Sequence, residues 1–140
     1  MSMETECNYT PLSPQSFLRR NARVFPEKPA IIYGNQQVGY AEFFERSCRQ
    51  ANGLRALGIG QGDRVAVLAP NTPAHLEANF GVHMAGAALV AINTRLSPPE
   101  IAFIVNHCGA RVMIVDRDLL PAIQPVVAEM KGIERFVVVR

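Results

Sequence analysis

Residue types able to do chemistry fall in three short stretches of this sequence: the glycine run Gly58-Ile59-Gly60-Gln61-Gly62-Asp63, the polar trio His75, Asn79 and His83, and Arg95 just before Ser97-Pro98-Pro99-Glu100. A glycine run can grip a dinucleotide, because residues without a Cβ let the backbone and a following helix N-terminus approach a pyrophosphate. That use needs a strand before the glycines and a helix after them. Here Gly58, Gly60 and Gly62 follow a helical pattern and precede a strand-like one, so the run reads as a tight loop from helix to strand. Neither G-x-x-x-x-G-K-[ST] nor G-x-S-x-G occurs in the sequence. The chain therefore carries no self-contained phosphate cradle or nucleophile elbow of those types.

His75, Asn79 and His83 share one stripe of a predicted helix. The two histidines are about 12 Å apart along its axis, too far to share a metal without ligands from loops. The stripe is read as a polar face, and no metal site is predicted. His107 lies in the last turn before Gly109, where it answers the helix dipole. Arg95 is different: it follows a predicted strand and precedes a capping box, Ser97 to Glu100, with Leu96 and Ile101 as its hydrophobic staple. An arginine beside a helix N-terminus, at the carboxyl edge of a parallel sheet, is a candidate phosphate site. The alternative is a surface arginine paired with Asp63, Asp116 or Glu100.

The elements that position these residues can be read from periodicity and punctuation. Ser13 as N-cap, Pro14 at the first helical position and a Leu12 to Phe17 staple start a helix that ends before Pro26. Ala30 to Tyr33 and the stretch around Val38, separated by Gly34-Asn35, form a predicted hairpin. From Ala41 to Leu57, Phe44, Cys48, Ala51, Leu54 and Leu57 fall on one helical face, and Glu42/Arg46 and Glu45/Arg49 make i,i+4 pairs. Gly58 stops that helix. Strands are then predicted at Arg64–Ala69, Ala87–Ile92, Arg111–Val115 and Arg135–Val139, with helices at Pro73–Ala85, Pro98–Cys108 and Leu119–Met130. Pro125 is expected to kink or restart the last of these. Strands apolar on both faces and separated by helices predict an α/β fold: a mostly parallel, doubly wound sheet flanked by helices with right-handed crossovers.

With 140 residues, 49% of them hydrophobic and 19% charged, the chain can bury one sizeable core. A net charge of +2, spread over 14 basic and 12 acidic residues without blocks, gives no nucleic-acid footprint. Cys7, Cys48 and Cys108 show no metal or disulfide spacing and predict reduced thiols in a cytoplasmic protein, with Cys48 and Cys108 as core filler. The start, Met1 to Cys7, carries Glu4 and Glu6 and no apolar run, so no secretory signal is read and residues 1–10 are expected to be a disordered tail. The longest apolar stretch, Met84 to Ile92, falls short of the ~20 residues of a membrane span.

The stretch PLSPQSFLRRNARVFPEKPAIIYGN, followed by GIGQGDRVAVLAPNTPAHLEANFGVHMAGAALVAINTRLSPPEIAFIVNHCGARVMIVD, closely resembles the N-terminal part of the adenylate-forming acyl-CoA synthetases, the AMP-dependent synthetase/ligase superfamily of AMP-binding enzymes. The resemblance runs over roughly residues 10–139. It is most like synthetases for short- and medium-chain carboxylic acids, and it implies that residues 11–140 are the N-terminal portion of such a domain. The implied parent reaction joins a carboxylate to ATP, with Mg, giving an acyl-adenylate, and then passes the acyl group to CoA. The family's glycine-rich phosphate loop, its Mg-coordinating segments and its C-terminal lysine domain lie after the matched region, so no catalytic residue is assigned here and the chain alone is expected to be inactive. Arg95 matches the arginine of the family's N-[TP]-R-L segment, which in some members contacts a phosphate of CoA. Two departures stand out: His83 where the family has proline, and Gly39 where threonine usually caps the long helix, an expected loss of about 1 kcal/mol of local stability. The resemblance names a carboxylic acid, ATP and CoA as the parent's partners and no nucleic acid. The alternative reading is a small flavodoxin-like CoA-binding or regulatory module without catalysis. A third is a structural remnant that associates through an open sheet edge.

Overall fold

The structure, a computed structural model, describes residues 12–140. The tail expected over residues 1–10 lies outside them. Elements run in the order α1 (Pro14–Val24), β1 (Pro29–Tyr33), β2 (Gln36–Gly39), α2 (Tyr40–Ala56), β3 (Arg64–Leu68), α3 (Pro73–Ala85), β4 (Ala88–Ala91), α4 (Pro98–Cys108), β5 (Val112–Asp116), α5 (Leu120–Ile123) and β6 (Arg135–Val139), with 3-10 turns at Arg117–Leu119 and Gln124–Glu129 flanking α5. β1 and β2 form an antiparallel hairpin, and the other four strands form a parallel sheet in the order β4-β3-β5-β6.

The sheet is doubly wound, as the apolar strands predicted. Val65 and Val67 of β3, with Val112 and Ile114 of β5, pack under Ala51 and Leu54 of α2 and Ala78, Val82 and Ala85 of α3. Their neighbours in sequence, Ala66, Leu68, Met113 and Val115, pack on the other face against Ile101, Ala102 and Val105 of α4 and against Ile123, Val126 and Met130. Alternation at period two thus feeds two cores from each central strand. A third cluster joins Leu18 of α1 to the hairpin through Ile31 and Val38 and to Phe43 of α2.

Several local expectations need correction. Ser13 does cap α1 as expected, in a reciprocal pair with Ser16 in which each hydroxyl accepts the other's backbone N–H, at 3.2 and 3.1 Å. Leu12 and Phe17 stay 84% and 52% exposed, because Leu18 rather than Phe17 turns toward the hairpin, so the predicted staple is not packed. The buried residues of α2 are Phe43, Ser47, Ala51 and Leu54; Phe44 and Cys48 are half-buried and Leu57 is exposed. Two partners on different sides, the hairpin and α3, rotate the covered face from the one periodicity chose. Cys108 is half-buried but packs against the core over the other face as expected, whereas Cys48 does not enter a core cluster. The segment after Asp118 is broken into a 3-10 turn, one α-turn and a second 3-10 turn. Pro125, without an N–H and with a ring against the preceding turn, forbids a continuous helix there.

Gly39 is the N-cap of α2 and has no side-chain cap, as expected. Two of the orphan donors are nevertheless met: Tyr40 N–H donates to the Lys28 carbonyl and Ala41 N–H to the Pro26 carbonyl, each at 3.1 Å. A Cβ at Gly39 would stand 2.8 Å from the Pro26 oxygen. The backbone carbonyl that does the capping therefore occupies the space a side chain needs. Gly39→Thr, which capping preference alone marks as stabilising, is expected to lower the denaturant midpoint by an amount equivalent to about 1–3 kcal/mol, the usual cost of overpacking. A gain in stability would contradict this geometry.

The amino edge of the sheet is tied by two arginines. Arg64 donates from Nε to the Cys108 carbonyl at 2.7 Å and from Nη2 to the Gly109 carbonyl at 2.9 Å, satisfying the end of α4. Arg111 donates to both Asp63 carboxylate oxygens at 3.1 Å, to the Gly58 carbonyl at 3.1 Å, and through Nε and Nη2 to Glu134 at 2.7 and 3.0 Å. It thereby joins the glycine loop, the start of β5 and the approach to β6. Asp63 also accepts the Gly60 N–H at 2.9 Å. These bonds hold the carboxyls of Asp63 and Glu134 below the usual range, Asp63 through Gly60 first and Arg111 second, Glu134 through Arg111. The Glu100 carboxyl is also held low, by hydrogen bonds from Ser97. Glu77 goes the other way, raised by burial against the pull of Arg46.

The consequence for stability follows by linkage. A carboxyl held low when folded binds fewer protons than in the unfolded chain, so its contribution is complete above the ordinary carboxylate range and lost as pH falls through it and below. Glu77, held high, contributes in the opposite sense and is most favourable when protonated. With three groups against one, thermal stability is expected to fall as pH drops below the carboxylate range. Arg111→Met is expected to flatten that fall, read as midpoint against pH, and an unchanged slope would show that Arg111 does not hold these carboxyls.

Candidate functional site

Parallel α/β sheets bind ligands outside the carboxyl ends of their strands, where helix dipoles and loop backbone groups converge. In this sheet the connection leaves β3 toward β4 and returns past it to β5, so the switch in winding lies between β3 and β5. A cleft of about 600 Å³ opens there, lined by Pro70 and Thr72 after β3 and by Asp116, Arg117 and Asp118 at the end of β5. A second cleft, about 510 Å³, lies between the loops after β3 and β4 and is lined by Asn71, His75, Asn93 and Thr94. The glycine loop Gly58–Gly62 is at the other edge, entering β3, where Gly58 and Gly62 take φ of +78° and +84°. Those glycines turn the chain and contribute nothing to the carboxyl-edge clefts.

Arg95 belongs to the loop leaving β4. Asn93 builds that loop: its Oδ1 accepts the Arg95 N–H at 3.0 Å and its carbonyl accepts the Leu96 N–H at 3.3 Å. An Asx turn of this kind fixes the backbone on which the arginine is presented. Arg95 is exposed, and among the described residues no carboxylate lies within ion-pair distance of it. The three partners weighed from the sequence are engaged elsewhere. Asp63 is held by Arg111, Asp116 accepts the Asp118 N–H at 2.9 Å, and Glu100 accepts both the Ser97 N–H and the Ser97 hydroxyl at 2.8 and 2.6 Å.

The same geometry corrects half of the phosphate argument. A helix N-terminus attracts anions through its free N–H groups, but Pro98 and Pro99 have none, and Glu100 already takes the Ser97 N–H and places its own negative charge there. The start of α4 is a filled cap and offers an incoming phosphate little. The positive charge beside this helix start is the Arg95 guanidinium, which lines neither of the two carboxyl-edge clefts; Arg117 lines the first of them.

The histidine stripe also divides. His75 is half-buried, its Nδ1 is 2.9 Å from the Ala69 carbonyl, and it lines the second cleft. Asn79 donates to the His75 carbonyl at 2.9 Å, and the His83 Nδ1 is 2.6 Å from the Asn79 carbonyl. His107 stacks on Phe103 at 5.7 Å in the last turn of α4. Among the described residues no three of His, Cys, Asp and Glu stand together as a ligand set. Sequence reasoning read His75 as part of a polar helix face and gave Asn93 no role; the available signal was their place just after strands of a parallel sheet, Asn93 in the loop after β4 and His75 in the first turn of α3.

The family model described as AMP-binding enzyme matches residues 18–140. The chain belongs to the AMP-binding enzyme family. It is 41% identical over 121 residues to the peroxisomal butyrate–CoA ligase AAE11 of Arabidopsis thaliana, covering 86% of this chain and 21% of that protein. It is 43% identical to the long-chain-fatty-acid–CoA ligase of Thermus thermophilus, covering 81% of this chain and 23% of that one. Among solved structures, the anthranilate CoA ligase AuaEII in complex with anthranoyl-AMP superposes with a TM-score of 0.86 at 30% identity over 89% of this chain and 24% of its own. A Mycobacterium tuberculosis fatty acyl CoA synthetase superposes at 0.83 with 32% identity, over 89% of this chain and 26% of its own. The chain of this AMP-binding family member thus spans about a fifth of the curated relatives' length, and the likeness identifies its α/β fold as the N-terminal part of these ligases.

An arginine that only decorated the surface and one kept clear for a ligand differ little in stability, but both differ from a structural arginine such as Arg111. Because no bond of the Arg95 guanidinium holds the fold together, Arg95→Ala is expected to leave stability within about 0.5 kcal/mol of wild type. Equilibrium denaturation checks this, and a larger loss would assign Arg95 a structural partner.

Proposed function

We propose that the chain is the N-terminal portion of an ATP-dependent carboxylate–CoA ligase acting on a short- or medium-chain acid, and that Arg95 contacts a phosphate of CoA in the whole protein. The observation that carries the second part is the presentation of Arg95 on an Asx turn at the carboxyl edge, with no carboxylate within ion-pair distance among the described residues. The first part is supported by family membership and, for the short chain, by relatives named for butyrate and for acetate or butyrate. ATP and Mg belong to this reading as partners of the whole protein. No Walker-type glycine-lysine motif occurs in this sequence, and adenylation is assigned to regions of the ligase outside the matched fifth. Residence in the cytoplasm is part of the same proposal, supported by the unpaired thiols Cys48 and Cys108.

Two measurements test the reading. A protein containing this chain within a full-length ligase is expected to form acyl-CoA from ATP, Mg, CoA and a panel of carboxylates, whereas the 140-residue chain alone forms none; turnover by the isolated chain would overturn the assignment of adenylation elsewhere. In calorimetry with CoA on the full-length ligase, Arg95→Ala is expected to weaken binding about tenfold, the loss of roughly one charge-assisted contact. Glu100→Gln keeps an acceptor oxygen for the Ser97 N–H while removing a negative charge near Arg95 in sequence, and is expected to tighten it. Equal affinities for wild type and Arg95→Ala would sink the phosphate role.

A further inference from the structure

The sequence gives α2 a wider apolar stripe than its core contacts use. Phe44 and Cys48, placed on that stripe by periodicity, are half-buried rather than enclosed. They line a groove of about 730 Å³ between α1, α2 and α3, with Ala51 and Met84 beside them. The volume falls within the range of small-molecule sites. The groove reaches Arg55 near the end of α2 and His83 and Met84 near the end of α3. Both helices lead from there into the amino edge of the sheet, so this place is remote in the topology from the carboxyl-edge clefts.

The charges around the groove have one sign. Arg19 and Arg55 line it, and among the described residues no aspartate or glutamate does. Arg55 is held in position by donating from Nη1 to Asn52 Oδ1 at 3.2 Å and from Nη2 to the Met84 carbonyl. An arginine has five N–H donors, so fewer than half of them are committed by these bonds. Arg19 is exposed and has no carboxylate within ion-pair distance among the described residues. Ser13 and Ser16 also line the groove, but their hydroxyls are taken by the cap of α1. What the groove offers is an apolar floor, two guanidinium groups and the polar side chains of Gln15, Asn52 and His83.

We propose that this groove binds a small amphipathic anion, a carboxylate whose apolar body lies on Phe44, Cys48, Ala51 and Met84 and whose head is held by Arg19 and Arg55. Apolar contact area supplies the attraction for the body, and paired N–H donors match the geometry of a carboxylate. The inference stands on the groove alone and is independent of the role given to Arg95.

Cys48 supplies the readout, with Cys108 at the end of α4 as an internal control outside the groove. The full chain is treated with iodoacetamide and the rate of alkylation is followed at each cysteine by peptide mass, with decanoate, decanol or butyrate present. Decanoate is expected to slow alkylation of Cys48 and leave Cys108 unaffected; decanol, lacking the charge, and butyrate, lacking the body, are expected to protect far less at equal concentration. Arg19→Gln is expected to raise the decanoate concentration needed by about tenfold, and as an exposed substitution it leaves the fold intact, as a thermal melt verifies. Arg55→Gln is expected to act in the same direction. No protection by decanoate, equal protection by decanol, equal slowing of both cysteines, or protection unchanged in Arg19→Gln would each overturn the proposal.

Discussion

Burial of β3 and β5 on both faces is the constraint on which this molecule is built. Val65 to Leu68 and all of Val112 to Asp116 are shielded from solvent, so each strand needs a helical layer above and another below. Right-handed crossovers then leave little choice of topology: α3 must cover one face on the way to β4, and α4 must cover the other on the way back to β5. That return passes over β3, which creates the winding switch and the clefts at the carboxyl edge. The place where a ligand can bind follows from how two apolar strands are covered.

The two edges of the sheet divide their charges differently. At the amino edge Arg64 and Arg111 are fully engaged, with carbonyls of the helix end and glycine loop and with the carboxylates of Asp63 and Glu134. A planar guanidinium suits this task because one group reaches several acceptors at fixed angles. At the carboxyl edge Arg95 is presented on a rigid turn with no such engagement. The arginines that look alike in composition thus separate into ones that close the scaffold and ones, Arg95 among them, left accessible.

The helical layer over one face shows how close approach is achieved. A Cβ at Gly81 of α3 would stand 3.0 Å from the Gln50 Cβ, so the absence of a side chain eases the approach of α2. Phe43 and Phe80 meet edge to face across the same pair of helices, with centroids 5.1 Å apart. Arg46 lies 2.8 Å from the buried Glu77 Oε1, a charge contact rather than an aligned hydrogen bond. Burial raises the Glu77 carboxyl while Arg46 opposes the shift. The third helix of this layer, α1, is attached through Leu18 and leaves the groove open along Phe44 and Cys48.

Much of the architecture was legible locally. The bounds Pro73–Ala85, Pro98–Cys108 and Arg135–Val139 agree with the structure residue for residue, because each is marked by proline at a first helical turn, glycine just past a helix end, or an uninterrupted run of β-branched residues. Order of elements was also enough to refuse the glycine run a nucleotide role. What periodicity did not reveal is which side of a helix meets which partner: α2 buries Phe43 and Ser47 because it is pressed by both the hairpin and α3, and Leu12 and Phe17 stay exposed because Leu18 takes the contact. The cap at Gly39 was illegible for a similar reason, since its acceptors are the carbonyls of Pro26 and Lys28, brought there only when the hairpin folds. Sequence by itself determined the strands, the crossovers and the edge on which Arg95 stands, since these depend on residue type over a few neighbours. Only the tertiary structure decided which arginines are bonded, which cap is filled and where an apolar stripe remains uncovered, because each depends on groups distant in the chain meeting at hydrogen-bond or van der Waals distance.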